Sequence, residues 1–305
     1  MSQSKNKPIS LTQWFTPEEL RSLKGLEWLA RKVAHEAISG LHGGVRLGQG
    51  TDFSQYRTYM PGDDLRRIDW KIFGRTDRLY LKESELESRT RWYGLLDASS
   101  SMIYEENGMS KWQYAKILWA AIAFIARQQG DADGLALIND QQVLHLPPKA
   151  GMENARMQML FQADSKGKWP EKIQLPLQQG GFQHKFILIT DLYEHTDELG
   201  AFIRSLLPAR NEIMVFHLMG KKELNLDFSG VTVFEDAETG QQVQTDPNRI
   251  RSQYEKQATE FIRSSRDQIL KWGANYYLCT IEDSPVSALR AFLKGQSSEA
   301  YVAGS

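Results

Sequence analysis

A chain of 305 residues is longer than one average domain of roughly 150 residues, so about two units are expected. Hydrophobic residues make up 41% and charged residues 25%, the balance of an ordinary globular protein, which excludes a chain disordered throughout. The formal net charge of -1 provides no overall footprint for nucleic acid or an anionic membrane, because phosphate binding needs an excess of Lys and Arg.

The first residues, Met1 to Pro8, are mostly Ser, Lys, Gln and Asn and lack the apolar core of a signal peptide, so no export is expected. Thr16-Pro17-Glu18-Glu19 then reads as a helix start: a Thr cap, Pro at the first helical position and Glu placed to reach back to the cap. Leu20, Leu23, Leu26, Ala30, Val33, Ala34 and Ala37 recur at helical spacing, which predicts one buried face on a helix ending near Ser39-Gly40. From His42 the texture changes to glycines (Gly43, Gly44, Gly48, Gly50), then Phe53, Tyr56, Tyr59 and the turn signal Pro61-Gly62-Asp63. Short strands and turns are expected there. The expected division is a helical segment over residues 1–40, a small β-rich module over 41–90 and an α/β domain over 91–305.

After Arg91 strands and helices alternate. Trp92 to Leu96, Gly134 to Ile138, Val143 to Leu146, Phe186 to Ile189, Ile213 to Leu218 and Tyr276 to Ile281 read as strands. Helices are predicted over Ser110 to Gln129, Glu153 to Gln162, Asp197 to Leu207, Pro247 to about Trp272, and from Ser284-Pro285 to Gly295. Such alternation points to a mainly parallel sheet covered on both faces. Val231 to Phe234 reads as an inserted hairpin. The longest uncharged apolar run, Ile117 to Ala126, falls short of the ~20 residues of a membrane-spanning helix. The single cysteine, Cys279, lies in an apolar strand and reads as a buried thiol, so the chain is expected to be cytoplasmic.

Chemistry concentrates where two of these strands end. Asp97, Ser99 and Ser101 form an Asp-x-Ser-x-Ser pattern just past an apolar strand, and alternate residues of an extended loop can turn their oxygens onto one hard cation. Asp191 follows another strand in Ile189-Thr190-Asp191-Leu192. If both strands are central, two carboxylates meet at one sheet edge and repel unless something positive lies between them. A plainer reading makes the serine cluster a helix cap. A nucleophilic serine has no Gly-x-Ser-x-Gly elbow and no histidine base in its support. Gly48-Gln49-Gly50 lacks the remainder of a phosphate loop and reads as turn chemistry. The six histidines show no metal-ligand spacing, Trp112 and Trp119 fit a core helix face, and Arg249 to Arg266 fits a solvated one.

The Asp97-Ser99-Ser101 loop with the later Thr190-Asp191 resembles the metal-ion-dependent adhesion site of von Willebrand factor type A domains, over about residues 91–295. Upstream, Gly48-x-Gly50-x-Asp52-Phe53, Arg57-x-Tyr59-x-Pro61-Gly62-Asp63-Asp64-x-Arg66-x-Ile68-Asp69-Trp70 and Gly74-Arg75-Thr76 resemble the signature of the bacterial "domain of unknown function 58" family. The resemblance implies a type A-like doubly wound α/β fold, with Asp97, Ser99, Ser101 and Asp191 at magnesium-contacting positions. It also implies a protein-interaction role alongside a MoxR-type AAA+ ATPase, in assembly or activation of protein complexes. The threonine that type A domains add to the shell has no counterpart in Val143 to Met157, which holds neither Ser nor Thr. Glu153 or Asn154 is one replacement, and the ammonium of Lys149 is another that needs no metal. Asp63, Asp64, Arg66, Asp69 and Arg75 read either as a recognition patch or as a salt-bridge lattice. Two alternatives to the interaction module stay open: a metal-dependent hydrolase using the same carboxylates, and a metal-free scaffold.

Overall fold

The computed structural model describes residues 21–39, 55–60, 63, 68, 70–83, 90–141, 143–176, 182–193, 196–208, 211–237 and 239–295. The expected Thr16 cap therefore lies outside the described residues, and helix α1 (Leu23–Ser39) ends where expected. Its buried face is Leu26, Leu29, Ala30, Val33, Ala34 and Ala37, close to the face read from the spacing.

Two compact units divide the chain: residues 44–89, and residues 1–43 together with 90–305. In the smaller unit β1 (Gln55–Thr58) is followed by helix α2 (Trp70–Thr76) and by β2 (Tyr80–Glu83), which pairs antiparallel with β1. Strands and turns alone were expected here, so α2 is a correction. Gly74 inside a seven-residue segment masks any helical signal in the sequence, yet Thr76 Oγ1 donates to the Ile72 carbonyl at 3.0 Å as in a last helical turn.

In the larger unit β3 (Arg91–Asp97) leads through a 3-10 turn at Ser100–Ile103 and a two-residue hairpin, β4 (Glu105–Glu106) with β5 (Met109–Ser110), into α3 (Lys111–Gln128). The hairpin turns on Asn107 and Gly108, both at positive φ. A reciprocal capping box between Ser110 and Gln113 starts α3. Next come β6 (Ala132–Ile138), β7 (Val143–Leu146), α4 (Glu153–Gln162), β8 (His184–Thr190), α5 (Thr196–Leu206), β9 (Glu212–Met219) and α6 (Lys221–Asn225). An antiparallel hairpin of β10 (Thr232–Glu235) and β11 (Gln242–Thr245) precedes α7 (Pro247–Lys271), β12 (Asn275–Thr280) and α8 (Pro285–Leu293).

Six strands form the central sheet in the order β12-β9-β8-β3-β6-β7, parallel except for β7, which runs antiparallel on the edge. Alternate strand residues feed two cores. Tyr93, Leu95, Phe186, Leu188, Val215 and Tyr276 pack with Ile203 of α5 and Ile269 of α7 on one face. On the other face Gly94 admits the Trp119 ring of α3, whose carbons would lie 2.5 Å from any Cβ placed there. Phe292 of α8 packs edge-on to Phe216 and Tyr277 on that same side. Helix α3 is buried nearly all round because α1 and α8 cover its outer side. This is the type A-like, doubly wound, mainly parallel sheet that was expected.

The connectivity fixes where a ligand can go. From β3 the chain winds outward to β6 and β7, whereas β8 inserts on the opposite side of β3 and winds on to β9 and β12. The carboxyl ends of β3 and β8 thus flank the topological switch point, the crevice where open α/β sheets bind ligands. No helix among the described residues is long and apolar enough to cross a membrane.

Candidate functional site

Asp97 is the last residue of β3 and 3% exposed. Its Oδ1 accepts from the Ser99 amide at 2.9 Å, and its Oδ2 accepts from Thr190 Oγ1, at the end of the neighbouring β8, at 2.7 Å. The hydroxyls of Ser99 and Ser101 lie 3.0 Å apart. The loop carrying them is pinned by backbone bonds: Ala98 N to Ile138 O at 2.8 Å, Lys166 N to Ala98 O at 2.7 Å and Ser100 N to Gly167 O at 2.8 Å. Asp97, Ser99, Ser101, Thr190 and Asp191 line one recess, with Trp169 and Tyr193 among its walls. All four residues expected at metal-contacting positions are therefore together at one rim.

The capping alternative fails on geometry. Ser99 precedes the 3-10 turn without any side-chain cap bond, and α3 is capped by Ser110 instead. Leu192, just beyond Asp191, holds a positive φ of 60° and donates its amide to Thr190 Oγ1 at 3.1 Å. A left-handed branched residue costs about 1–2 kcal/mol, and such strain is typical of functional rims.

A positive group does reach Asp191, on the side of Glu223, and it is a residue that sequence reasoning passed over. Lys111, 1% exposed, donates its ammonium to Asp191 Oδ2 at 3.1 Å and to Glu223 Oε1 of α6 at 2.7 Å. Tyr193 and Tyr104 present ring faces to it with centroids 4.8 and 5.2 Å away. Burial pulls the Lys111 ammonium down, and Asp191 and Glu223 more than offset that pull, so it stays protonated. A signal for it existed. Ser110-x-x-Gln113 marks a helix start, which places Lys111 in the first helical position, where the helix dipole disfavours a cation unless an acid holds it.

Lys149 does not play this part. Strand β7 runs back along β6, so Leu146 faces Leu135, and the Lys149 carbonyl accepts from Arg156 at 3.1 Å. Arg156 also grips Asp133 near the start of β6, at the end of the sheet opposite Asp97. Glu153 and Asn154 belong to the same far end, at the start of α4, and are excluded from the shell for the same reason. The edge strand reverses direction, a pairing that residue spacing does not reveal. What reaches the rim instead is the segment after α4, which includes the buried Ser165.

Asp97, Asp191 and Glu223 against Lys111 leave the site two positive charges short when all are ionised. Burial and the Asp191 charge accordingly push the Asp97 carboxyl up to about 7, against the opposing bonds from Ser99 and Thr190. His217, opposite Thr190 on β9, is fully buried, and burial lowers it to about 3; its Nδ1 meets the Tyr276 hydroxyl at 2.7 Å. The indole Nε1 of Trp169 is buried without a partner among the described residues.

The upstream signature falls in the smaller unit. Arg57 lies on β1 opposite Leu81, and the Tyr59 amide donates to the Leu79 carbonyl at 3.0 Å. The Asp63 carboxylate accepts from the Met60 amide at 2.8 Å, while Trp70 opens α2 and Arg75 sits in its last turn. Gly48, Gly50, Gly62, Asp64, Arg66 and Asp69 lie outside the described residues.

The family model described as protein of unknown function DUF58 matches residues 55–263. An uncharacterized protein of Mycobacterium bovis is 23% identical over 239 residues, 73% of this chain and 72% of that protein. Among solved structures, an aerotolerance-related membrane protein from Bacteroides fragilis is similar at 15% identity and a TM-score of 0.45, over 69% of this chain and 99% of that one. The SpRpn10 VWA domain is similar at 12% identity and a TM-score of 0.40, over 66% of this chain and 93% of that one.

Proposed function

The chain belongs to the family of proteins of unknown function DUF58, and from that premise we propose that it is a protein-interaction module that grips an acidic side chain of its partner at the rim between Asp97 and Asp191. The observation that carries the proposal is the convergence of Asp97, Ser99, Ser101, Thr190 and Asp191 on one recess at the switch point of the sheet. A carboxylate arriving there is repelled unless a cation comes too.

Magnesium fits the donor set. The 3.0 Å between the two serine hydroxyls is the spacing of neighbouring ligands in an octahedron with bonds of about 2.1 Å. A divalent ion also matches the missing two charges. Ser99 and Ser101 would hold it directly, with Asp97 and Asp191 oriented behind them by Thr190 and Lys111. When bound, the ion would supply a coordination position for the partner's carboxylate oxygen. The indole N–H of Trp169, without a partner among the described residues, is a buried donor beside the same recess. The partner class proposed is a MoxR-type AAA+ ATPase, which rests on the family resemblance, and the setting proposed is the cytoplasm.

A metal-dependent hydrolase is the weaker reading, because a base close to the ion would be needed and the lining residues include no histidine. His217 is near but sealed. A metal-free scaffold is supported by one observation, the Lys111 ammonium already on Asp191. Thermal unfolding separates the two. Magnesium at 100 times its dissociation constant is expected to add about 2.7 kcal/mol of stability to the wild type and none to Asp97→Ala. Capture of a purified MoxR-type ATPase by the wild type and not by a folded Asp97→Ala variant is the outcome expected of the module; equal capture by both would falsify it.

A further inference from the structure

Beyond Lys111, helix α3 carries a second lysine, Lys116, whose Nζ donates to the carbonyls of Phe161 at 3.1 Å and Ala163 at 2.5 Å. These are among the last carbonyls of α4, and that of Ala163 also accepts from Trp112 Nε1 at 3.0 Å. The Trp112 ring centroid lies 5.0 Å from the same nitrogen. A cation suits the carboxyl end of a helix, so a capping role is the plain account of Lys116.

The surroundings of the amine go further than a cap requires. Among the described residues no carboxylate pairs with Lys116 at ion-pairing distance, and burial pulls its ammonium down to about 8 against the raising effect of Asp164. At pH 7.5 about a quarter of the chains then carry the neutral amine, against about one in a thousand for an ordinary lysine. Lower basicity weakens an attacking nitrogen by roughly ten- to twentyfold if its Brønsted slope resembles the ~0.4–0.5 of thiols, so the net gain is about tenfold. Geometry favours the same chemistry. A neutral amine has two N–H bonds, which the carbonyls of Phe161 and Ala163 match, and its lone pair is left in the remaining tetrahedral direction. Both carbonyls also stabilise the positive charge that develops on nitrogen as it attacks. The side chain keeps partial exposure, which admits a small reagent.

What Lys116 holds leads directly to the rim. Just past Ala163, the Lys166 amide donates to the Ala98 carbonyl at 2.7 Å and the Gly167 carbonyl accepts from the Ser100 amide at 2.8 Å. An acylated nitrogen retains one N–H for two carbonyls, loses its charge and brings an acceptor oxygen against them.

We propose that Lys116 is an acylation site, taking an activated acyl group from an acyl phosphate or an acyl thioester, and that acylation loosens the loop carrying Ser99 and Ser101. The nitrogen bonds to the acyl carbon, and the bond from that carbon to the phosphate oxygen or to sulfur breaks. The proton given up by nitrogen leaves with the departing group, as hydrogen phosphate or free thiol. A bearing on partner capture rests on the interaction-module reading above, whereas the acylation and the loosening do not.

The full chain is incubated with acetyl phosphate and, separately, with acetyl-coenzyme A, and each lysine is followed by peptide mass mapping. At pH 7.5 Lys116 is expected to be acetylated at least fivefold faster than the exposed Lys166 and Lys168 by one donor or both, and to lose that lead once the chain is unfolded in guanidinium. Its rate is expected to level off above about pH 8. In the acetylated chain and in Lys116→Gln, with melting temperatures checked against wild type, the Ser100 and Lys166 amides are expected to exchange at least tenfold faster. Lys116→Arg, which keeps donors for both carbonyls, is expected to retain their protection. Both measurements are made with chelator and without a partner, so neither depends on the rim reading. The inference is overturned if Lys116 trails Lys166 and Lys168 with both donors, if its lead survives unfolding, or if the two amides stay protected after acetylation.

Discussion

Lys111 shows how one buried cation organises the rim. It is paired on both sides, so removing it strands two carboxylates: Lys111→Met is expected to cost about 3–5 kcal/mol in urea unfolding, because an uncompensated buried charge is far worse than a lost bond. The double variant Lys111→Met/Glu223→Gln is expected to recover part of that loss. Asp97 gives a prediction of opposite electrostatic origin. Its folded pKa of about 7 lies above its ordinary value, so the folded state binds the proton more tightly. The resulting stabilisation is complete below about pH 4 and is lost as pH rises through 7. With chelator present, wild type is therefore expected to lose roughly 2 kcal/mol relative to Asp97→Asn between pH 5 and pH 8. A constant difference across that range counts against a shifted Asp97.

At the scale of elements, the site is held by close contacts between strands and helices. Gly94 lets α3 approach β3 through the buried Trp119, so Gly94→Ala forces overpacking and is expected to cost about 1–3 kcal/mol in chemical denaturation, with the rim loop displaced as well. Three rim elements are tied by a pair of acids. Glu106 of β4 accepts from the Lys222 amide and the Tyr104 hydroxyl, and Glu282 before α8 accepts from the Lys221 amide. Burial and the adjoining Glu106 carboxyl push Glu282 up to about 8. The proton on Glu282 favours the folded state at low pH, and its contribution is lost as pH rises through 8. Glu282→Gln, which keeps a donor there at any pH, is expected to flatten the fall in melting temperature from pH 7 to pH 9; an unchanged slope would remove the pair from the account.

For the whole molecule, the switch point and the hairpin have different energetic standing. Residues at the switch point belong to strands buried on both faces, so their amides are expected to exchange only with global unfolding. In the β10–β11 hairpin Phe234 packs edge-on to Phe228 of the preceding segment, while Val231, Val233 and Val243 are exposed. Replacing residues 231–245 by a short Gly/Ser link is expected to leave one cooperative transition within a few degrees of wild type. A large drop in melting temperature would show that the hairpin stabilises the fold instead of serving a surface role.

By itself the sequence determined the alternating elements, the mainly parallel sheet and the Asp97, Ser99, Ser101 and Asp191 rim, because burial on both faces writes continuous apolar runs and the polar cluster follows where two of those runs end. Helix α2 escaped it, since seven residues with an internal glycine carry too little period to read. Only the tertiary structure decided which cation serves the acids. Lys111 and Lys149 are equally charged in the sequence, but α3 starts beside β8 while β7 runs back and carries Lys149 to the far end. Charge pairing depends on distance through space, and strand direction sets that distance without leaving a trace in local composition.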